Sequence, residues 1–240
     1  PLNRGVKCMA KAKATKKAAT TRSRVKRTGS KFNVEWKNAS QKLAWIEFQR
    51  HDIVFLTGPA GVGKTHLAMA FAISEVLEKK KKKIVLTRPI VEAGESLGFL
   101  PGEFEDKVHP YILPCLDIVT KMTGGCAASK EIISKAIEIA PVAYMRGRTF
   151  DDAICIFDEA QNATLTQLKL FLTRFGEDSK LILTGDPKQT DLHHEVALVE
   201  VMEKLQTLRG VGSVEFQRKD IVRHPLIADI LDRLEEDEED

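Results

Sequence analysis

The 240-residue chain has little that would mark a secreted, membrane-spanning or metal-held protein. Its four cysteines, Cys8, Cys115, Cys126 and Cys155, show neither a CxxC motif nor paired metal spacing. They are expected to be reduced thiols, and a disulfide framework is excluded as the organising device. No apolar run is long enough to span a bilayer, and the N-terminus lacks the apolar segment of a signal peptide, so the expected location is cytoplasmic. Aromatic residues make up only 6% of a chain that is 43% apolar, so one ordinary soluble domain with a largely aliphatic core is expected. Acids are missing from residues 1–31, which carry eleven Lys or Arg, whereas residues 235–240 are six consecutive acids. The formal charge of +3 therefore comes from the ends, and the middle is slightly acidic. A nucleic-acid partner would need a local patch or the basic arm.

What the chain does have is organised around Asp52 to Leu67, DIVFLTGPAGVGKTHL. Ile53 to Leu56 read as a buried strand, and Gly58 to Thr65 match the pattern of glycine, four residues, then Gly-Lys-[Ser/Thr]. Glycines there let successive backbone N–H groups face a phosphate chain. Lys64 would neutralise the β and γ phosphates, the Thr65 hydroxyl would ligate Mg2+, and a helix starting near Lys64 would present its positive dipole end. The candidate ATP-contacting stretch is thus Gly58, Pro59, Ala60, Gly61, Val62, Gly63, Lys64, Thr65 and His66.

A second signal is Ala153 to Asn162, AICIFDEAQN, an apolar run ending in two acids. A buried parallel strand would present Asp158 and Glu159 at its carboxyl end beside the phosphate loop. Asp158 would hold the metal, and Glu159 would polarise the attacking water. Leu181 to Leu183 form another apolar strand that runs into TGDPKQ, where Gln189 is placed to sense the γ phosphate, to hold the attacking water, or as an ordinary loop amide.

The remaining segments are read in the same way. Met9 opens MAKAKATKK, a natural start, so residues 1–8 are read as non-native. Residues 1–31 cannot bury enough apolar surface to order themselves. They form either an electrostatic arm for nucleic acid or a solubilising tail. Phe32, Val34, Trp36, Leu43, Trp45, Ile46 and Phe48 supply a mixed apolar cluster ahead of the first strand. Gln41 is either a solvated glutamine or a reader of an adenine edge. Lys79 to Lys83 suit a solvated helix end before the strand Ile84 to Thr87. The loop leaving that strand carries Arg88 and Glu92 towards the ligand crevice. Lys130 to Ala140 and Thr164 to Phe175 read as helices, the second capped by Gly176. Arg146 and Arg148 would bind phosphate or pair at the surface. His193 and His194 have no ligand partners at metal spacing. Val196 to Leu208 read as a helix, Val214 to Phe216 as a strand and Pro225 to Leu234 as a last helix.

In order, GPAGVGKT, TRPIVEAGESLGFLPGE, APVAYMRGRTF, FDEAQN, LTRFG, TGDPKQTDL and VRHPL resemble the PhoH family of ATPases over roughly residues 36–232. The resemblance implies an α/β fold: a single RecA-like P-loop NTPase domain with a mostly parallel sheet, related to superfamily-one helicases. It implies an ATPase domain over residues 32–234, between the basic arm of residues 1–31 and the acidic tail of residues 235–240 that the composition marks. It makes Gln41 an adenine reader, Arg88 and Glu92 nucleic-acid contacts, Gln189 a nucleotide sensor and Arg223 an arginine near the nucleotide. Val62 departs from a more usual Thr in the loop, and the arm has no counterpart in the family. The implied cofactors are ATP and Mg2+, and the implied partner is single-stranded nucleic acid, RNA favoured. One such domain gives one wall of an ATP site, so a homo-oligomer, plausibly a ring, is expected to complete it with Arg223, or with Arg174 in reserve. Rival readings are an ATP-gated RNA-binding or scaffold protein without unwinding, and a small-molecule kinase.

Overall fold

The computed structural model describes residues 34–89, 117–122, 126–189 and 197–222. The basic arm, Glu92, His193, His194, Arg223, the expected last helix and the acidic tail lie outside them. Among the described residues, helix α1 (Ala39–Arg50) leads into strand β1 (Ile53–Thr57), followed by α2 (Lys64–Leu77) and β2 (Lys83–Thr87). Next come α3 (Ala127–Ala136), β3 (Ile137–Ile139), β4 (Ala153–Phe157), α4 (Leu165–Leu172), β5 (Lys180–Gly185), α5 (Ala197–Leu205) and β6 (Val211–Glu215).

The six strands form one sheet in the order β3-β2-β4-β5-β1-β6, and every pairing is parallel. An all-parallel sheet must be covered on both faces, and its central strands are accordingly apolar at consecutive positions. Phe55, Val85, Cys155, Phe157, Leu181 and Leu183 join Leu168 and Phe171 of α4 and Leu198 and Val201 of α5 in one core. The alternate residues Val54, Leu56, Ile84, Ile154, Ile156 and Ile182 are also buried, on the face that α2 packs against. Burial inside the first core pushes the Cys155 thiol up to about 12, so it is an inert part of the packing.

Strand β5 lies between β4, which carries Asp158 and Glu159 at its end, and the phosphate-loop strand β1. Two helix readings are corrected. The helix expected to reach Ala140 stops at Ala136, and Ile137–Ile139 pair with Ile84–Leu86 as an edge strand. The helix expected to reach Phe175 runs only over Leu165–Leu172. A capping box of Thr164 and Gln167 starts it, and the Thr173 hydroxyl turns back onto the carbonyls of Lys169 and Leu170. Gly176 is therefore not its cap. A Cβ at Gly176 would lie 2.4 Å from the Phe150 carbonyl oxygen, where the chain pairs Phe150 with Phe175.

The lysine run after α2 is neutralised locally, as a solvated helix end should be. Lys80 pairs with Glu75 and Glu78, Lys82 with Asp152, and Lys83 with Glu138. Arg148 likewise pairs with Glu138 and lies over the Phe150 ring at 4.8 Å, and Arg146 is exposed. The expected apolar cluster before β1 forms only in part. Phe48 and Trp45 pack on Phe71, Trp36 stands against Trp45 with its ring partly open to solvent, Leu43 is exposed, and Phe32 lies outside the described residues.

Candidate active site

The phosphate loop rises from the carboxyl end of β1 and is fixed from outside. Gly58 has φ +127°, and a Cβ there would sit 2.3 Å from the Phe216 carbonyl oxygen. Only glycine permits that approach. The Gly61 carbonyl accepts from the Val222 N–H at 3.1 Å, and the Val62 carbonyl accepts from Gln41 Nε2 at 3.0 Å. With those carbonyls directed outward, neighbouring N–H groups are left for an anion, the arrangement of a nest.

Gln41 is buried, and its Oε1 accepts from the Lys37 N–H at 2.8 Å. Its carboxamide thus ties the start of α1 to the loop and retains one N–H and one lone pair for a further partner. Replacing it with Leu leaves the carbonyl of buried Val62 without this donor and the Lys37 N–H without this acceptor. Gln41→Leu is therefore expected to destabilise the fold by about 1–3 kcal/mol, measured by denaturant unfolding with an unchanged slope. An unchanged midpoint would show that the brace is dispensable. On the other side, Asp220 accepts from Ser40 Oγ at 3.0 Å and from the Gln217 N–H at 2.9 Å, joining the segment after β6 to the start of α1.

Lys64 and Thr65 open α2, whose first N–H groups face the same space. The Lys64 ammonium donates to the Gly58 and Pro59 carbonyls at 2.5 and 2.9 Å, which fixes its charge over the loop. Partial desolvation, then Lys121 and Lys37, hold the His66 imidazole below its ordinary 6.5, so it is neutral at pH 7.

Across the loop, the Thr65 hydroxyl donates to Asp158 Oδ1 at 2.7 Å, and the Thr184 hydroxyl of β5 donates to the same oxygen at 2.5 Å. The intervening strand therefore acts as a bridge, because its Thr184 helps to hold the acid that reaches the loop. A buried carboxylate and a threonine hydroxyl in contact are a hard oxygen pair. That set fits Mg2+, which takes one or two protein oxygens and completes its shell with phosphate and water. Among the described residues no group of three or more His, Cys, Asp or Glu could hold a metal ion.

Glu159 follows in a left-handed conformation, φ +53°. Its Oε1 stands 3.2 Å from an Arg88 guanidinium nitrogen, and its Oε2 accepts from Gln161 Nε2 at 2.8 Å. Gln161 is buried in turn, and its Oε1 accepts from the Asp186 N–H at 3.0 Å.

A family model described as PhoH-like protein matches residues 33–235. The chain belongs to the PhoH-like family. It is 46% identical over 202 residues to the PhoH-like protein of Bacillus subtilis (strain 168), covering 83% of this chain and 63% of that one. It is 42% identical over 203 residues to Protein PhoH of Escherichia coli (strain K12), covering 79% of this chain and 57% of that one. The chain thus spans about three fifths of the length of these curated relatives. Among solved structures, the Pif1 helicase from Candida albicans overlaps 77% of this chain and 40% of that one, with TM-score 0.39 and 14% identity. An overlap that loose bears no weight on function.

The PhoH-like domain has an α/β fold with a six-stranded parallel sheet, and its phosphate-loop sequence follows β1. Its described residues bring Gln41, the loop, Lys64, Thr65, Asp158, Glu159 and Arg88 to one edge. Gln189 lies on the turn after β5, its N–H bonded to the Asp186 carbonyl and its side chain exposed. The Arg174 guanidinium donates to the Arg148 carbonyl at 2.9 Å and to Thr173 Oγ1. Gln161 was missed from sequence. It stands in the DEAQ segment two residues after Glu159, but its partner Asp186 is 25 residues away, just past the end of β5.

Among the described residues no helix is long and apolar enough to cross a membrane.

Proposed function

We propose that this chain is a magnesium-dependent ATPase that couples hydrolysis to binding, or moving along, single-stranded nucleic acid, RNA favoured. The observation that carries the reading is the 2.7 Å contact between Thr65 of the phosphate loop and Asp158 at the end of β4, with Glu159 next in the chain. This pair would hold Mg2+, whose charge would offset that of the phosphates. The loop N–H groups and Lys64 bind and orient the triphosphate. Glu159 Oε1 accepts the proton of the attacking water, and Gln189 orients that water or senses the γ phosphate. Gln41 reads adenine with the N–H and lone pair it has left.

One such domain forms one wall of the site, so a neighbouring subunit completes it with Arg223, in a homo-oligomer and plausibly a ring. A per-subunit rate that stays constant on dilution to monomer would sink this part.

Lys64→Ala is expected to weaken ATP binding about 30-fold or more, because it removes a side-chain charge held over the loop. Titration of a fluorescent ATP analogue checks it. The function is tested by ATP hydrolysis with and without single-stranded RNA and DNA over a range of salt. Stimulation that falls with salt is expected of phosphate-mediated contacts. Hydrolysis indifferent to both nucleic acids would favour an ATP-gated scaffold. Phosphoryl transfer to a metabolite rather than water would favour a kinase.

A further inference from the structure

Glu159 is held from two sides by groups of different character. Gln161 is 3% exposed and is itself fixed by the Asp186 N–H, so it acts as a strut between the ends of β4 and β5. Arg88 is about a third exposed, and among the described residues its ion-pair partner is Glu159, which is 37% exposed. The parallel register sets Thr87 opposite Phe157, and the Asp158 N–H donates to the Thr87 carbonyl at 2.9 Å. That brings the residue after β2 alongside the acids after β4. An ion pair with both members so open to water gains little net free energy, so it is readily exchanged. A phosphate is an excellent alternative partner for a guanidinium, because its oxygens match the planar fork.

We propose that Arg88 is a positioning residue that exchanges partners. Without a strand it engages Glu159 Oε1, the oxygen that would take the water proton. With single-stranded nucleic acid bound, it engages a backbone phosphate and releases that oxygen. Gln161 keeps Oε2 in both states, so the freed carboxylate stays aimed. The proposal rests on the function given above and supplies its coupling: strand occupancy is reported to the water-activating group across two adjacent strands.

The test is steady-state ATPase kinetics of the full chain and of Arg88→Ala, Arg88→Lys and Glu159→Gln, with and without polyuridylate, at low and high salt. Arg88→Ala is expected to raise the RNA-free kcat about threefold, the range of an exposed pair, with the KM for ATP unchanged, and to lose RNA stimulation. Arg88→Lys, a charge without the fork, is expected to fall between. Salt should raise the RNA-free rate of the wild type, by screening the pair, and leave that of Arg88→Ala flat. An Arg88→Ala RNA-free rate below wild type, or full RNA stimulation in that variant, overturns the proposal. Wild-type turnover in Glu159→Gln overturns the water-activating role of Glu159 and the proposal with it, whereas absence of ATP hydrolysis in the parent chain overturns the underlying function, so the two failures are told apart.

Discussion

Glu159→Gln is expected to bind ATP as the parent does and to lower kcat by a factor of about 10² to 10⁴, the usual contribution of a positioned general base. The substitution is close to isosteric. The new amide oxygen accepts from Gln161 Nε2, as Glu159 Oε2 does at 2.8 Å. The Thr65–Asp158 contact is untouched, because it uses a different carboxylate. What disappears is the negative charge that takes a proton from water, a loss felt in the transition state and not in ground-state binding. Nucleotide affinity measured by analogue titration, set against single-turnover hydrolysis, separates the two. Equal loss of affinity and turnover would show that Glu159 holds nucleotide or metal and does not activate water.

The second large effect is expected from a single methyl group. Gly58→Ala places a Cβ 2.3 Å from the Phe216 carbonyl oxygen and 2.9 Å from Phe216 C and Cβ. Neither side can give way cheaply. The Phe216 N–H donates to the Thr57 carbonyl at 2.7 Å, directly after the parallel pairing of β1 with β6, and Gly58 already has φ +127°. Strain of about 1–3 kcal/mol for the backbone, added to the clash, brings the total to about 3 kcal/mol or more. A domain of this size should then melt about 6–12 °C lower and bind ATP poorly. Gly147→Ala is the control, because Gly147 also has positive φ, +78°, but a Cβ there meets nothing within 4 Å. Similar melting shifts for the two variants would show that the Phe216 contact is not what demands glycine at Gly58.

The parts of this molecule legible in the sequence are those encoded locally. The apolar runs of β1, β2, β4 and β5 announce strands buried on both faces, and GPAGVGKT announces its own backbone geometry. Polar residues at strand ends announce the functional edge, because a parallel sheet places all its carboxyl ends together. What is not legible depends on which strand neighbours which. The order that inserts β5 between β1 and β4 has no local signature, so Thr184 could not be seen as a partner of Asp158. The Arg88–Glu159 pair follows from β2 lying beside β4, although the two residues are 71 positions apart in sequence. Strand β3 was hidden for another reason. Three residues are too few for an alternation to register, and they continue directly from α3.

The hydrogen bond from Val222 to Gly61 has a consequence for spectroscopy. The Val222 N–H can exchange with deuterium only when its 3.1 Å bond to the loop carbonyl opens. Its exchange rate is therefore a gauge of loop opening, read at a residue remote in sequence from the glycines themselves. Nucleotide that stiffens the loop should slow exchange at Val222. Traction on the chain just beyond it, by a neighbouring copy for instance, should speed that exchange. The loop is therefore fastened to the segment that follows β6, and the state of one can be read at the other.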